Sequence, residues 1–248
     1  MTVVLVNGNP ENRRGWSSLI AELDRADTVA LDVPGLGCPR PEGFDATRWD
    51  YKDWLIRELS GFGEPVDVIA HSMGGMMLCG VLGERPELIR SFAIGTVAHG
   101  EFAVHERARI WQTTRLGEAV RDAWETLTLE QRLQVLRDGN VPEARLEDIA
   151  QTIDYTMFDC LLGWYRSAAW TGDWQLQPEV EYPPGLFLWG DRDPYQDVAF
   201  GRRTAETIGA EIVVFDDCGH WWMTERPREA AAALERFWAE VNAPLPRR

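Results

Sequence analysis

The chain has 248 residues, 45% of them hydrophobic, and a formal net charge of −15. Its length suits one well-buried α/β domain, and its negative balance argues against nucleic acid and anionic membrane surfaces as partners, because both repel it. No apolar stretch approaches the span of a bilayer, and Thr2 opens a short strand in place of a basic-headed signal peptide, so the expected location is cytoplasmic.

Residues 2–6 are predicted to form the first strand, which runs into Asn7-Gly8-Asn9-Pro10. A second strand leads to Asp32-Val33-Pro34-Gly35-Leu36-Gly37. The apolar run Val68-Ile69-Ala70 then enters His71-Ser72-Met73-Gly74-Gly75, with an apolar helical run over residues 76–82 directly behind it. Residues 89–97 read as the next strand. A long helical insertion follows, with helices expected over residues 102–116, 116–127, 129–137 and 142–167, and Pro178, Pro183 and Pro184 closing it. Two further strands end in Gly190-Asp191-Arg192-Asp193-Pro194 and in Asp216-Asp217-Cys218-Gly219-His220, and an amphipathic helix over residues 228–241 precedes a frayed tail. Strands alternating with helices predict an α/β fold, a mostly parallel sheet flanked by helices. Residues 1–99 and 178–248 form the expected core, and residues 100–177 an inserted helical cap.

The segment around Ser72 predicts a strand, a sharp turn and a helix with a hydroxyl at the apex. Ala70 and Gly74 are small enough for the neighbouring backbone to come close, as such a corner requires. At the head of the helix, free N–H groups favour negative charge, and the N–H of Met73 becomes one oxyanion donor. A hydroxyl is a poor nucleophile until a base takes its proton. Asp193 and His220 lie at the carboxyl ends of later strands, the edge of an open α/β sheet at which ligands bind. Each alone has a bland reading, as a capping serine, a turn acid or a surface histidine. Three in this order favour chemistry.

On these residues the chain resembles the α/β-hydrolase fold family over nearly its whole length. The marks are Val6-Asn7-Gly8-Asn9-Pro10, Asp32-Val33-Pro34-Gly35-Leu36-Gly37, the Ser72 elbow, Trp189-Gly190-Asp191-Arg192-Asp193-Pro194 and Gly219-His220-Trp221. The resemblance implies that Ser72 attacks, that His220 is the base, and that Asp193, the acid before the proline, orients the histidine. Asp191 is the weaker candidate and more a loop-shaping residue. The second oxyanion donor is expected at the backbone N–H of Asn9. Three departures stand out. Ala70 replaces the usual first glycine of the elbow, Asn7-Gly8 stands where His-Gly is common, and an opening antiparallel pair of strands is missing, which implies a trimmed sheet. Asn7 either braces the loop or serves as a plain turn former. Asn9-Pro10 also resembles relatives that cleave carbon–halogen bonds or epoxides, but those attack with an aspartate at the elbow. Ser72 therefore fits an acyl or activated carbonyl carbon better than a saturated one.

The insertion carries Trp111, Trp124, Met157, Phe158, Leu161, Leu162, Trp164, Tyr165 and Trp170, many at helical spacing. Any single one is more simply a packing residue, but with 12 tryptophans in the chain the group suggests an apolar pocket. Trp111, Trp164 and Trp221 are the expected pocket residues, with Trp221 packing on His220 or walling the pocket. His71 is expected to point away from the reacting carbon, and His99 and His105 to lie at the surface. Cys38, Cys79, Cys160 and Cys218 are far apart and read as free thiols, with a packing role for Cys218. No histidine or acid pair stands at a metal-ligand spacing and Asn7-Gly8-Asn9 lacks the pattern of a phosphate loop, so no metal and no cofactor are inferred. The expected activity is hydrolysis of a carboxylic ester or lactone of a small to medium apolar substrate through an acyl-enzyme. Cleavage of a carbon–carbon bond beside a ketone with the same triad is one alternative, and a cofactor-free oxygenase or noncatalytic ligand receptor another.

Overall fold

The computed structural model describes residues 1–96, 106–168 and 174–243. Among the described residues, six strands form one sheet: β1 (Val3–Val6), β2 (Thr28–Ala30), β3 (Val66–His71), β4 (Ile89–Gly95), β5 (Gly185–Gly190) and β6 (Glu211–Phe215). Their spatial order is β2-β1-β3-β4-β5-β6, and every adjacent pair is parallel. β1, β3 and β5 are buried at every position, as near-continuous apolar runs covered on both faces must be. β2 and β6, at the two edges, are only partly covered. The sheet is trimmed in the expected sense, since the chain's first strand already sits inside it.

The helices of the core are α1 (Ser17–Glu22), α2 (Arg48–Ser60) and α3 (Met73–Glu84). Between β4 and β5 come α4 (Glu106–Gln112), α5 (Leu116–Thr126), α6 (Leu129–Asp138), α7 (Glu143–Thr152) and α8 (Tyr155–Ser167). The chain closes with α9 (Val198–Ile208), α10 (Trp222–Glu225) and α11 (Pro227–Val241). The single helix expected over residues 142–167 is two. Asp154 takes an extended backbone and its side chain accepts a hydrogen bond from the Met157 N–H, which starts a new helix. Residues 97–105 lie outside the described residues, and with them His99, His105, the end of the strand expected to reach Val97 and the start of the first insertion helix. Trp170 and residues 244–248 lie outside as well. Among the described residues, no helix is long and apolar enough to cross a membrane.

The strand order decides where a site can form. From β1 the chain moves outward to β2, returns to β3 on the other side of β1, and then continues through β4 to β6. The loops after β1 and β3 therefore diverge from neighbouring strands and leave a crevice at the carboxyl edge.

Candidate active site

Ser72 stands between β3 and α3 with φ 54° and ψ −120°, a backbone shape that costs a non-glycine residue about 1–3 kcal/mol. The surroundings hold it there. Its N–H donates to the Gly95 carbonyl at 2.8 Å, and a Cβ on Gly74 would lie 2.5 Å from the carbonyl oxygen of Val6. From the opposite side, a Cβ on Gly8 would lie 2.7 Å from the Ser72 Cβ and 2.8 Å from the His71 carbonyl oxygen. The elbow and the loop after β1 thus touch through two glycines, and no larger side chain fits between them.

The acid and the histidine meet. Asp193 Oδ2 is 2.8 Å from His220 Nδ1 and accepts a second hydrogen bond at 2.8 Å from the Thr96 hydroxyl. Its Oδ1 accepts from the backbone N–H groups of Tyr195 at 2.8 Å and Gln196 at 3.1 Å. Burial of this fully enclosed carboxyl raises its pKa, but His220 and the donors from Tyr195 and Thr96 outweigh that and hold it below the ordinary carboxylate value. An ionised acceptor on Nδ1 fixes that nitrogen as the donor and leaves Nε2 as the free acceptor. Tyr195 and Trp221 flank the imidazole edge-on, with ring centroids 4.8 and 5.0 Å away. Asp191 does not join the pair. It accepts from the Cys218 N–H at 3.0 Å and shapes the histidine loop, which Glu225 holds from its other end through the Gly219 N–H at 2.9 Å.

His71 lies behind the site. Its Nε2 is 2.9 Å from the His220 carbonyl oxygen and its ring is 4.5 Å from that of His220. Complete burial, followed by the neighbouring His220, drives its pKa well below the ordinary value, so it stays neutral and donates through Nε2. Cys218 is buried, and burial pushes its thiol up to about 12, the state of an inert packing residue.

Asn7 does brace the loop after β1. Its amide donates to the carbonyls of Gly8 at 3.1 Å and Glu11 at 2.8 Å, and the Glu11 N–H closes the turn onto Gly8 at 3.1 Å. Among the described residues, the backbone N–H groups of Asn9 and Met73 find no acceptor. The peptide bond between Asn9 and Pro10 is cis.

Ser72, His220, Asn9 and Met73 share one cavity of about 180 Å³. About half of its wall comes from the segment of helices between β4 and β5. Trp111, Trp164 and Trp221 all line it, joined by Trp124, Phe158 and Tyr165. Among the described lining residues none carries a formal charge. In the cavity wall the side-chain amide of Asn9 approaches the Tyr165 hydroxyl at 3.5 Å.

The sequence model of the alpha/beta hydrolase family matches residues 3–234. The chain belongs to that family. A hydrolase of (E)-2-((N-methylformamido)methylene)succinate from Acinetobacter baylyi is 30% identical over 94 residues, 37% of this chain and 36% of that protein. The chain spans less than two thirds of the length of the curated relatives it matches. Among solved structures it resembles a loop variant of a haloalkane dehalogenase from Bradyrhizobium elkanii, with a TM-score of 0.76 at 17% identity, covering 98% of this chain and 91% of that one. A thermophilic esterase from Thermogutta terrifontis gives 0.73 at 22% identity over the same shares of each chain. These two likenesses bear on the fold alone.

Thr96, Tyr195 and Gln196 hold the Asp193 carboxylate and have no counterpart among the residues expected from the sequence. Tyr195 and Gln196 follow the acid at two and three residues, the spacing at which an aspartate bonds its own backbone, so the Asp-Pro pair carried a readable signal. Thr96 carried none. It reaches Asp193 because β4 and β5 are neighbours, and a left-handed φ of 50° turns it there.

Proposed function

We propose that this protein is a serine hydrolase that cleaves a neutral carboxylic ester or lactone of small to medium, apolar character through an acyl-enzyme. The observation that carries the reading is the buried Asp193–His220 hydrogen bond on the same cavity as Ser72, which stands at a strained strand-to-helix corner. His220 takes the hydroxyl proton through Nε2 as Ser72 Oγ adds to the carbonyl carbon, and the imidazolium that forms is stabilised by Asp193. The oxyanion is received by the N–H groups of Asn9 and Met73, at the head of α3 where the helix dipole favours negative charge. His220 then gives its proton to the leaving oxygen. Water, deprotonated by the same nitrogen, cleaves the acyl-enzyme and restores Ser72.

Residues 100–177 act as the cap in this reading, since α4 to α8 provide the aromatic wall. The described lining residues, apolar and without a cation among them, support neutral substrates, because a carboxylate set against them loses its hydration without gaining a counter-charge from them. The dicarboxylate named for the Acinetobacter relative is therefore not the substrate class inferred for this chain. The serine nucleophile, in turn, separates this chain from carbon–halogen cleavage.

Hydrolysis of a neutral short-chain aryl ester tests the reading. Activity is expected to disappear with Ser72→Ala, by several powers of ten, and with a serine-directed phosphonate. An active protein that ignores the phosphonate overturns it, and turnover of β-diketones without turnover of esters favours carbon–carbon cleavage by the same residues.

A further inference from the structure

The loop that carries the Asn9 N–H is tied to the insertion by a partly buried ionic cluster, none of whose own side chains is among the described residues that line the cavity. Glu11 is 3% exposed, and both of its oxygens are met by Arg145 of α7, from Nε at 3.2 Å and from Nη2 at 2.8 Å. Arg145 Nη2 also reaches Asp148 at 2.7 Å, and Asp148 takes Arg14 as a second cation. Beside it, the Asn12 amide donates to Asp148 at 3.1 Å and to the Thr152 hydroxyl at 3.0 Å. Gly15 closes over the carboxylate, since a Cβ there would lie 2.6 Å from a Glu11 oxygen.

A tie of this kind is a poor way to add stability. Two charges withdrawn from water recover little beyond their desolvation, and an apolar pair of the same volume commonly does as well. What the pair adds is direction, because a two-point contact between a planar guanidinium and a carboxylate fixes the angle as well as the distance. The angle matters here. Glu11 is two residues from Asn9, its N–H closes the turn that contains Asn9, and its carbonyl is held by Asn7.

We propose that Glu11 and Arg145 are positioning residues: their ion pair sets the Asn9 N–H against the elbow from the cap side, so that one oxyanion donor is in place only when α7 is docked. This rests on the acyl-transfer reading. It adds that the cap takes part in aligning the core's oxyanion site as well as in shaping the pocket. Misplacing a donor by about 1 Å costs on the order of 10²-fold in rate.

The test compares the wild type with Arg145→Met, Arg145→Lys and the double variant Glu11→Leu with Arg145→Leu, using a neutral aryl ester, an aryl trifluoromethyl ketone whose adduct with Ser72 holds an oxyanion, and the neutral phenol product as a ground-state ligand. Arg145→Met is expected to lower kcat by about 10²-fold with KM changed less than about threefold. Affinity for the trifluoromethyl ketone should fall by the same factor and that for the phenol should not. Arg145→Lys, which keeps the charge without the fork, should recover only part of the loss. The double apolar variant covers the case in which a lone buried glutamate prevents folding. It is expected to melt near the wild type and to remain slow, whereas a merely structural pair predicts recovery of both stability and kcat and overturns the proposal. An active wild type beside an unimpaired Arg145→Met also sinks the clamp and leaves acyl transfer standing. A wild type inert to ester and phosphonate sinks both.

Discussion

Two buried aspartates, one at each end of the sheet, show how the same residue type serves different ends. At the amino edge, Asp67 on β3 is 1% exposed and is met by Arg90, by Arg25 at 3.4 Å and by the Ser91 hydroxyl. At the carboxyl edge, Asp193 meets one imidazole, one hydroxyl and two backbone N–H groups. The charged partners of Asp67 are permanent cations, packed against the core, with Arg25 lying 4.0 Å over the Trp238 ring. The partner of Asp193 is a titratable ring whose other nitrogen is free to work on the cavity. A carboxylate faced by guanidinium is locked, whereas one faced by imidazole can support a proton in motion.

Exchanging each acid for its amide breaks the comparison most sharply. Asp193→Asn keeps the acceptor for Tyr195 and Gln196, but its amide N–H₂ must then face His220 Nδ1, which leaves the proton on Nε2. The base is then in the wrong tautomer, and kcat is expected to fall by about 10⁴-fold with a small change in unfolding free energy. Asp67→Asn should do the reverse. Arg90 loses its counter-charge and Arg25 keeps only Glu235, at 3.8 Å, at a cost of about 3 kcal/mol in urea unfolding, while kcat stays put because Ser72 is five residues, about 16 Å, along the strand. Equal losses of activity in the two variants would remove the distinction.

Gly8→Ala probes the carboxyl edge alone. The added carbon meets the Ser72 Cβ at 2.7 Å and the His71 carbonyl oxygen at 2.8 Å, so the backbone of one partner must move. An activity loss of about 10²-fold is expected from the displaced donor and nucleophile. Gly43→Ala is the control in steric terms, because open space surrounds its Cβ position. Its φ of 73° still disfavours the substitution, and the penalty should appear in stability and not in rate.

What could be read in the sequence, and what could not, follows from the range of the interactions. The elbow, the acid before Pro194 and the histidine in the loop after β6 announce themselves locally, through small residues beside a strained turn and through polar residues beyond strand ends. The parallel sheet was legible for the same reason, as buried runs such as those of β3 and β5 leave little choice of environment. Glu11 and Arg145 are 134 residues apart, and nothing near either one names its partner. Thr96 is chosen by strand order, which periodicity does not report. The break at Asp154 had a local signal, a capping acid, but it was masked by apolar residues at helical spacing on both sides of it.

Thr96→Val is the next step down in size. It removes one of four donors to a carboxylate that keeps the other three, and a hydrogen bond to a charged group contributes about 1.5–3 kcal/mol. Part of that appears in stability, so a loss in kcat of about tenfold is expected, with the pH profile shifting because Asp193 is held less strongly in its ionised form. Unchanged activity would mean that the two backbone N–H groups suffice to fix Asp193.

The smallest effect concerns His71, and it sharpens the contrast between locked and titratable ends. Its folded pKa lies well below the ordinary histidine value because burial, then His220, disfavours the charged ring. In the unfolded chain the ring takes up a proton below about pH 6.5, and in the folded protein it does not. Stability from this residue is therefore complete above that pH and is lost as pH falls below it, by about 1.4 kcal/mol at pH 5.5. Asp193 adds its own loss at lower pH, beginning as pH falls through the ordinary aspartate value of the unfolded chain, about 3.9, and continuing down to its depressed folded value. Urea unfolding at pH 7.5 and 5.5 should thus show the wild type losing more than His71→Gln over that interval. Mild acid should therefore loosen the carboxyl edge, where His71 lies. Identical pH slopes in the two proteins would instead mean that His71 accepts its proton within the fold, with the His220 carbonyl still as its partner.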